Sequence, residues 1–210
     1  CVIDIREAWG YQTNIRCRGA NGLGNSHNEI HLGRIRNGQK SLVITADATG
    51  YCNENTYYGG AFMFGSDLAD FTNCVHLTVD NVPGGRMNNH HFFRPCFESA
   101  NAAAKCASLQ GARGSILYPR GEGCVEYVLE SNSVYWELHI THAETAVITD
   151  NGYQNKYWTP NKMKFKGSDT DGVIIAYNRK GNLYDIFAGL NFDGNKVFGV
   201  NGSGWLTLGA

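Results

Sequence analysis

The chain has 210 residues, 42% of them hydrophobic, with 26 glycines against 4 prolines and a formal net charge of −1. That length supports one domain with a sizeable core. Near-neutral charge gives no electrostatic pull toward nucleic acid or an acidic membrane surface, and no apolar run approaches the length of a membrane span.

In chain order, Val2, Ile3 and Ile5 start a strand, and 19–28 reads as loop. Asn37-Gly38 between two apolar runs predicts a hairpin, with Leu42 to Thr45 as the buried strand that follows. A polar loop over 52–60 carries Tyr57 and Tyr58. Val75, Leu77 and Val79 alternate with His76 and Thr78; Val134, Trp136, Leu138 and Ile140 alternate with Tyr135, Glu137 and His139. A period of two places one set inward and the other in water, so both runs predict half-buried strands. The stretch 97–113, with consecutive alanines at 102–104 and Gly111 as a stop, is the one helix candidate. Short strands follow at 163–165, 173–178, 183–187, 196–200 and 205–208, separated by Gly and Asn turns. No repeat, linker or low-complexity tract stands out. The pattern predicts a single all-β domain over 1–210, an antiparallel β-sandwich with little helix.

Seven cysteines without a Cys-x-x-Cys pair leave out the common zinc spacings. They point to disulfides in an oxidising compartment, with the odd count leaving one thiol over. A chain opening at Cys1 reads as a mature or trimmed product.

Candidate chemistry is thin. His27 and His31 flank Glu29 without the helical His-Glu-x-x-His order, and a metal would need a further ligand. His90 and His91 form a tandem beside Phe92 and Phe93 and read as solvated turn residues. Phe64-Gly65-Ser66-Asp67 is not a Gly-x-Ser-x-Gly elbow. Asp169, Asp171 and Gly172 lack the terminal Glu of a calcium loop. No catalytic residues, metal ligands or cofactor are assigned. Binding asks for less: loops rich in Tyr, Trp, Asn and His suit sugar rings or a protein surface.

One set of motifs resembles a known family. Phe62 to Ser66, then Leu77 to Asn81, Cys96 with Cys106, Cys124 to Val128, and later Tyr157 to Pro160 with Ile174 to Ile186, occur in the order seen in the N-terminal domain of coronavirus spike proteins. The resemblance covers roughly residues 30–187. It implies a galectin-like antiparallel β-sandwich and a non-catalytic attachment domain that recognises a host cell-surface glycan, sialylated in some members, or a protein receptor. It implies a virion-surface location and assembly with the remainder of a trimeric spike. It further implies a bridge between Cys96 and Cys124, with Cys106 joined to Cys1 or Cys17, leaving Cys52 and Cys74 to pair locally.

In related domains the N-terminal segment lies near the glycan site, which singles out Trp9, Asn25 and His27, together with Tyr57 and Tyr58, as ligand contacts. The chain departs from the family in having one N-glycosylation sequon, Asn201-Gly-Ser, and no Cys after Leu183 to Ile186. The alternative class is a secreted polysaccharide-active lyase or hydrolase on a β-jelly roll.

Overall fold

The computed structural model describes residues 1–65, 73–81, 86–124, 126–140 and 146–159, and the backbone of the strands within 162–208. The chain opens with β1 (Val2–Trp9), β2 (Thr13–Gly19) and β3 (Gly24–Ser26). It repeats that order as β4 (Glu29–Arg36), β5 (Lys40–Ala46) and β6 (Tyr51–Asn53), then as β7 (Thr56–Phe64), β8 (Val75–Asn81) and β9 (Arg86–Asn88). Next come β10 (His91–Phe93), β11 (Cys96–Ser99), β12 (Lys105–Ala112), β13 (Ser115–Leu117), β14 (Arg120–Glu122), β15 (Glu126–Val134), β16 (Glu137–His139), β17 (Val147–Asp150) and β18 (Lys156–Thr159). The remaining strands are β19 (Lys162–Phe165), β20 (Val173–Tyr177), β21 (Asp185–Leu190), β22 (Lys196–Asn201) and β23 (Leu206–Leu208).

From β1 to β18 every pairing is parallel and joins equivalent strands of successive turns of chain. Val2 pairs with Glu29 and Glu29 with Thr56, each 27 positions on (2 to 29, 29 to 56). The coils stack into three faces. The first runs through β1, β4, β7, β10, β13, β16 and β18. The second runs through β2, β5, β8, β12, β15 and β17. The third runs through β3, β6 and β9 and continues on the end of β12. This is a parallel β-helix. From β18 to β23 the pairing becomes antiparallel.

The all-β expectation holds, but the galectin-like antiparallel sandwich does not: two sheets facing each other are replaced by a coil whose inside is the core. The helix over 97–113 is also replaced, by β11, a turn and β12. Cys106, Ala107 and Leu109 are all buried, so the segment is held by interior packing that outweighs the helix propensity of its alanines. Asn37-Gly38 is not a hairpin. β4 belongs to the first face and β5 to the second, and Asn37 (φ 54°) turns the chain between them.

The core is made of columns. On the first face Ile30, Tyr57, Phe92, Ile116, Leu138 and Tyr157 stack in register and are all buried. On the second face Ile44, Val79, Leu109 and Leu129 stack in register and are buried in the same manner. Burying each such side chain contributes about 1.5–3 kcal/mol. Both outer neighbours of Leu77 on its strand, His76 and Thr78, are buried too, so β8 is not the half-wet strand its alternation predicts.

Corners recur with the coils. His27, Glu54, Asn89, Arg113, Tyr135 and Gln154 all adopt φ between 53° and 58°, one at each passage into the first face. The residue after each turns inward. Asn55 there accepts from the Asn28 amide and its side chain donates to the Asn25 carbonyl. Asn155 accepts from the Trp136 amide and donates to Ser133 and Asp150. These amides satisfy backbone groups that a tight buried corner would otherwise orphan. Gly114 occupies the same position because the Trp136 ring of the next coil fills the space a Cβ would need. At the opposite corner the Asp47 carboxylate accepts from the amides of Asn21, Gly50 and Thr49, which holds its pKa down to about 2.

Candidate functional site: a groove on the first face

In strands β4, β7, β10, β13, β16 and β18 the residue after each core column member points outward. His31, Tyr58, Phe93, Leu117, His139 and Trp158 are therefore in direct register along the outside. His31 stacks on Tyr58 with centroids 5.2 Å apart, and Tyr58 on Phe93 at 5.4 Å. At the other end His139 and Trp158 lie 4.0 Å apart, with Tyr118 edge-on to His139 at 6.2 Å. Parallel stacking carries identical positions of successive coils onto one line, so an aromatic at the same place in several coils becomes a ribbon.

A second outward line runs beside it: Glu29, Thr56, His91, Ser115, Glu137 and Lys156. His91 Nδ1 and Ser115 Oγ share a hydrogen bond of 2.8 Å. Partial burial lowers the His91 pKa, opposed by the Glu137 carboxylate. Lys156 Nζ lies 3.6 Å from Glu137 Oε1. The corner residues Arg113 and Tyr135 rise along one side, and with Tyr58, Phe93, Leu117 and His91 they enclose an open groove of about 600 Å³. Its floor is apolar and its wall polar and hydrogen-bonding. A second depression of about 500 Å³, on the second face, is lined by Arg16, Arg18, Lys40, Asp47 and Asp80 without an aromatic.

The expected ligand contacts scatter. Tyr58 is in the groove and 38% exposed. Tyr57, its neighbour, points into the core at 1% exposure, so it cannot touch a ligand from outside. His27 is at an exposed corner, 2.7 Å from Glu54. Asn25 bonds Asn28 and Asn55 inside the corner network. Trp9 is exposed at the end of β1, in the first coil. Phe93, Leu117, His139, Arg113 and Tyr135 were not singled out by the sequence, and Trp158 stood there only among several loop aromatics, because only the coil-to-coil register aligns them. Asn201 closes β22, and the rest of its sequon lies outside the described residues.

The expected bridges are not formed. Cys1, Cys17, Cys52, Cys96, Cys106 and Cys124 carry thiols, which leaves none of the pairs Cys96–Cys124, Cys106–Cys1, Cys106–Cys17 or Cys52–Cys74. Cys96 is on β11 of the first face and donates to Glu98 Oε1 at 3.2 Å, whereas Cys124 faces Cys106. No group of three or more His, Cys, Asp or Glu able to hold a metal occurs among the described residues. Comparison with known proteins finds no matching family model, no matching curated protein and no matching solved structure.

Proposed function

We propose that this chain binds an extended glycan laid lengthwise along the first-face groove, without chemistry on it. The observation that carries this is the in-register outward line from His31 to Trp158, flanked by the polar line from Glu29 to Lys156. Ring faces suit the apolar faces of sugars, and Arg113, His91, Ser115 and Tyr135 offer donors and acceptors for hydroxyl or carboxylate groups. Glycan recognition is thus the part of the attachment role that the groove supports. The virion setting and the trimeric spike belong to the sandwich resemblance, and the proposal does not draw on them. Hydrolysis is less well supported than binding, because it needs two flanking carboxyl groups. Among the residues lining the groove Glu137 is the one carboxylate, and it is paired with Lys156.

The test is an array of neutral and acidic oligosaccharides probed with the chain and with Tyr58→Ala, Phe93→Ala and Trp158→Ala. Removing one aromatic anchor is expected to weaken Kd about tenfold or more. An array with no retained oligosaccharide, or one whose ligands bind all three variants undiminished, refutes the proposal.

A further inference from the structure

Two of the thiols are placed for each other. Cys106 occupies an irregularity in β12: the register with β15 passes from Lys105↔Glu126 to Ala107↔Tyr127, so Cys106 is the extra residue. Cys124 closes the turn leading to β15 in the next coil. Both are fully buried, and their Sγ atoms are 3.1 Å apart, about 1 Å more than an S–S bond. Each sulfur also faces a carbonyl, Cys106 that of Cys124 at 3.0 Å and Cys124 that of Ala104 at 3.1 Å. The two sulfurs are already turned toward each other across successive coils.

We propose that Cys106 and Cys124 form a disulfide when the chain folds under oxidising conditions, clipping two successive coils of the β-helix together. The oxidant is a small disulfide such as oxidised glutathione. One cysteine thiolate attacks it, forming a mixed disulfide and expelling one glutathione thiolate. The second cysteine attacks the protein sulfur of that mixed disulfide, making the Cys106–Cys124 bond and expelling the second glutathione. The two thiol protons end on the two glutathiones, and the two electrons the cysteines lose reduce the glutathione disulfide. In the folded protein neither thiol meets solvent, and burial raises the Cys106 pKa well above the ordinary thiol value. The reaction therefore belongs to folding, before the turn closes, and the same burial shields the finished bond from reductants. This makes the pair a permanent clip and not a redox switch.

The experiment refolds the denatured, reduced full chain in a glutathione redox mixture or in reductant alone, then alkylates and maps the peptides. The expected result is a Cys106–Cys124 peptide pair in the oxidised sample. Its Tm is expected about 5–10 °C above the reduced sample, with dithiothreitol cleaving the bond only when denaturant is added. Cys106→Ser/Cys124→Ser is expected to erase that difference. Recovery of Cys106 or Cys124 as alkylated thiols after oxidative refolding, or of Cys124 joined to Cys96, overturns the proposal. The peptide map of the unmutated chain decides even if the double variant fails to fold.

Discussion

Two histidines are held neutral inside the β-helix. His76 is fully buried, bonded to Ser41 Oγ at 3.2 Å and to the Glu98 carbonyl at 3.0 Å, and stacked on Phe64 at 3.8 Å. Burial lowers its pKa to about 3. His90, whose Nε2 lies 2.9 Å from the Cys52 carbonyl, is lowered by burial to about 4. Their unfolded value is near 6.5, so above that pH neither state carries the proton. As pH falls below 6.5 the unfolded chain takes up protons that the folded chain refuses, and stability drops. The loss continues until the folded pKa values are passed, near 4 for His90 and near 3 for His76. Each such proton is worth on the order of 1 kcal/mol per pH unit, so the pair steepens the loss of stability between roughly pH 6 and 4. His90 occupies the inward corner position that Asn55 and Asn155 fill elsewhere, which makes His90→Asn a compatible substitution. Urea unfolding at pH 7, 6 and 5 is expected to show the His90-linked part of the acid slope missing in that variant. An unchanged slope would rule out His90 as a source.

At the scale of the element, the corners decide which way each strand faces. Gln154 sits there at φ 54°, a left-handed conformation that costs a non-glycine residue about 1–2 kcal/mol, and its side-chain oxygen is buried without a partner. Gln154→Gly is expected to raise stability by about 1 kcal/mol, the gain in backbone strain being partly offset by glycine's unfolded-state entropy. Gln154→Val is expected to lower stability, since a β-branched residue tolerates that φ least. Denaturant midpoints with unchanged m-values measure both, and a stabilising valine would contradict the corner argument. These corners also explain what was legible. Local alternation correctly marked Leu77, Val79, Trp136, Leu138 and Ile140 as interior. It could not show that Val134 to Ile140 is two elements broken at Tyr135, where the left-handed residue shifts the alternation by one: Ser133 and Trp136 are buried, while Val134, expected inside, is half-buried and Tyr135 exposed. Asn37-Gly38 signals a left-handed turn truthfully. Whether such a turn returns a strand to its neighbour or sends it to a new face depends on the coil, which dipeptides do not encode.

At the scale of the molecule, the missing information was the 27-position offset of the first coils. Glu29 and Thr56, or Ile30 and Tyr57, share positions while differing enough in residue type to hide the period, and later coils change in length. Half of the groove was consequently invisible: Tyr58 and Trp158 are far apart in sequence and belong to one line only once coils stack. Stacking also governs stability. Interior contacts run between adjacent coils, so stability approximates a sum of coil and interface terms, as in other solenoids. The first coil, residues 1–27, contributes least. Val2, Trp9, Tyr11 and Leu23 are 62–72% exposed, and its interior members Ile15 and Cys17 retain 9% exposure where Leu42 and Ile44 of the next coil have none. Deleting 1–27 makes the second coil the new end and uncovers that coil's edge of the core. The shortened chain is expected to keep a strand-type far-ultraviolet spectrum and a cooperative transition, with unfolding free energy lower by on the order of a few kcal/mol from the lost burial of Ile15 and its neighbours. It is also expected to keep groove binding, because Tyr58, Phe93, Arg113 and Trp158 all lie on later coils. Deleting a middle coil such as 56–90 would instead remove Tyr58 and ask mismatched corners to stack. A 28–210 chain that loses its cooperative transition would show that the first coil nucleates the stack, and the additive picture would fail.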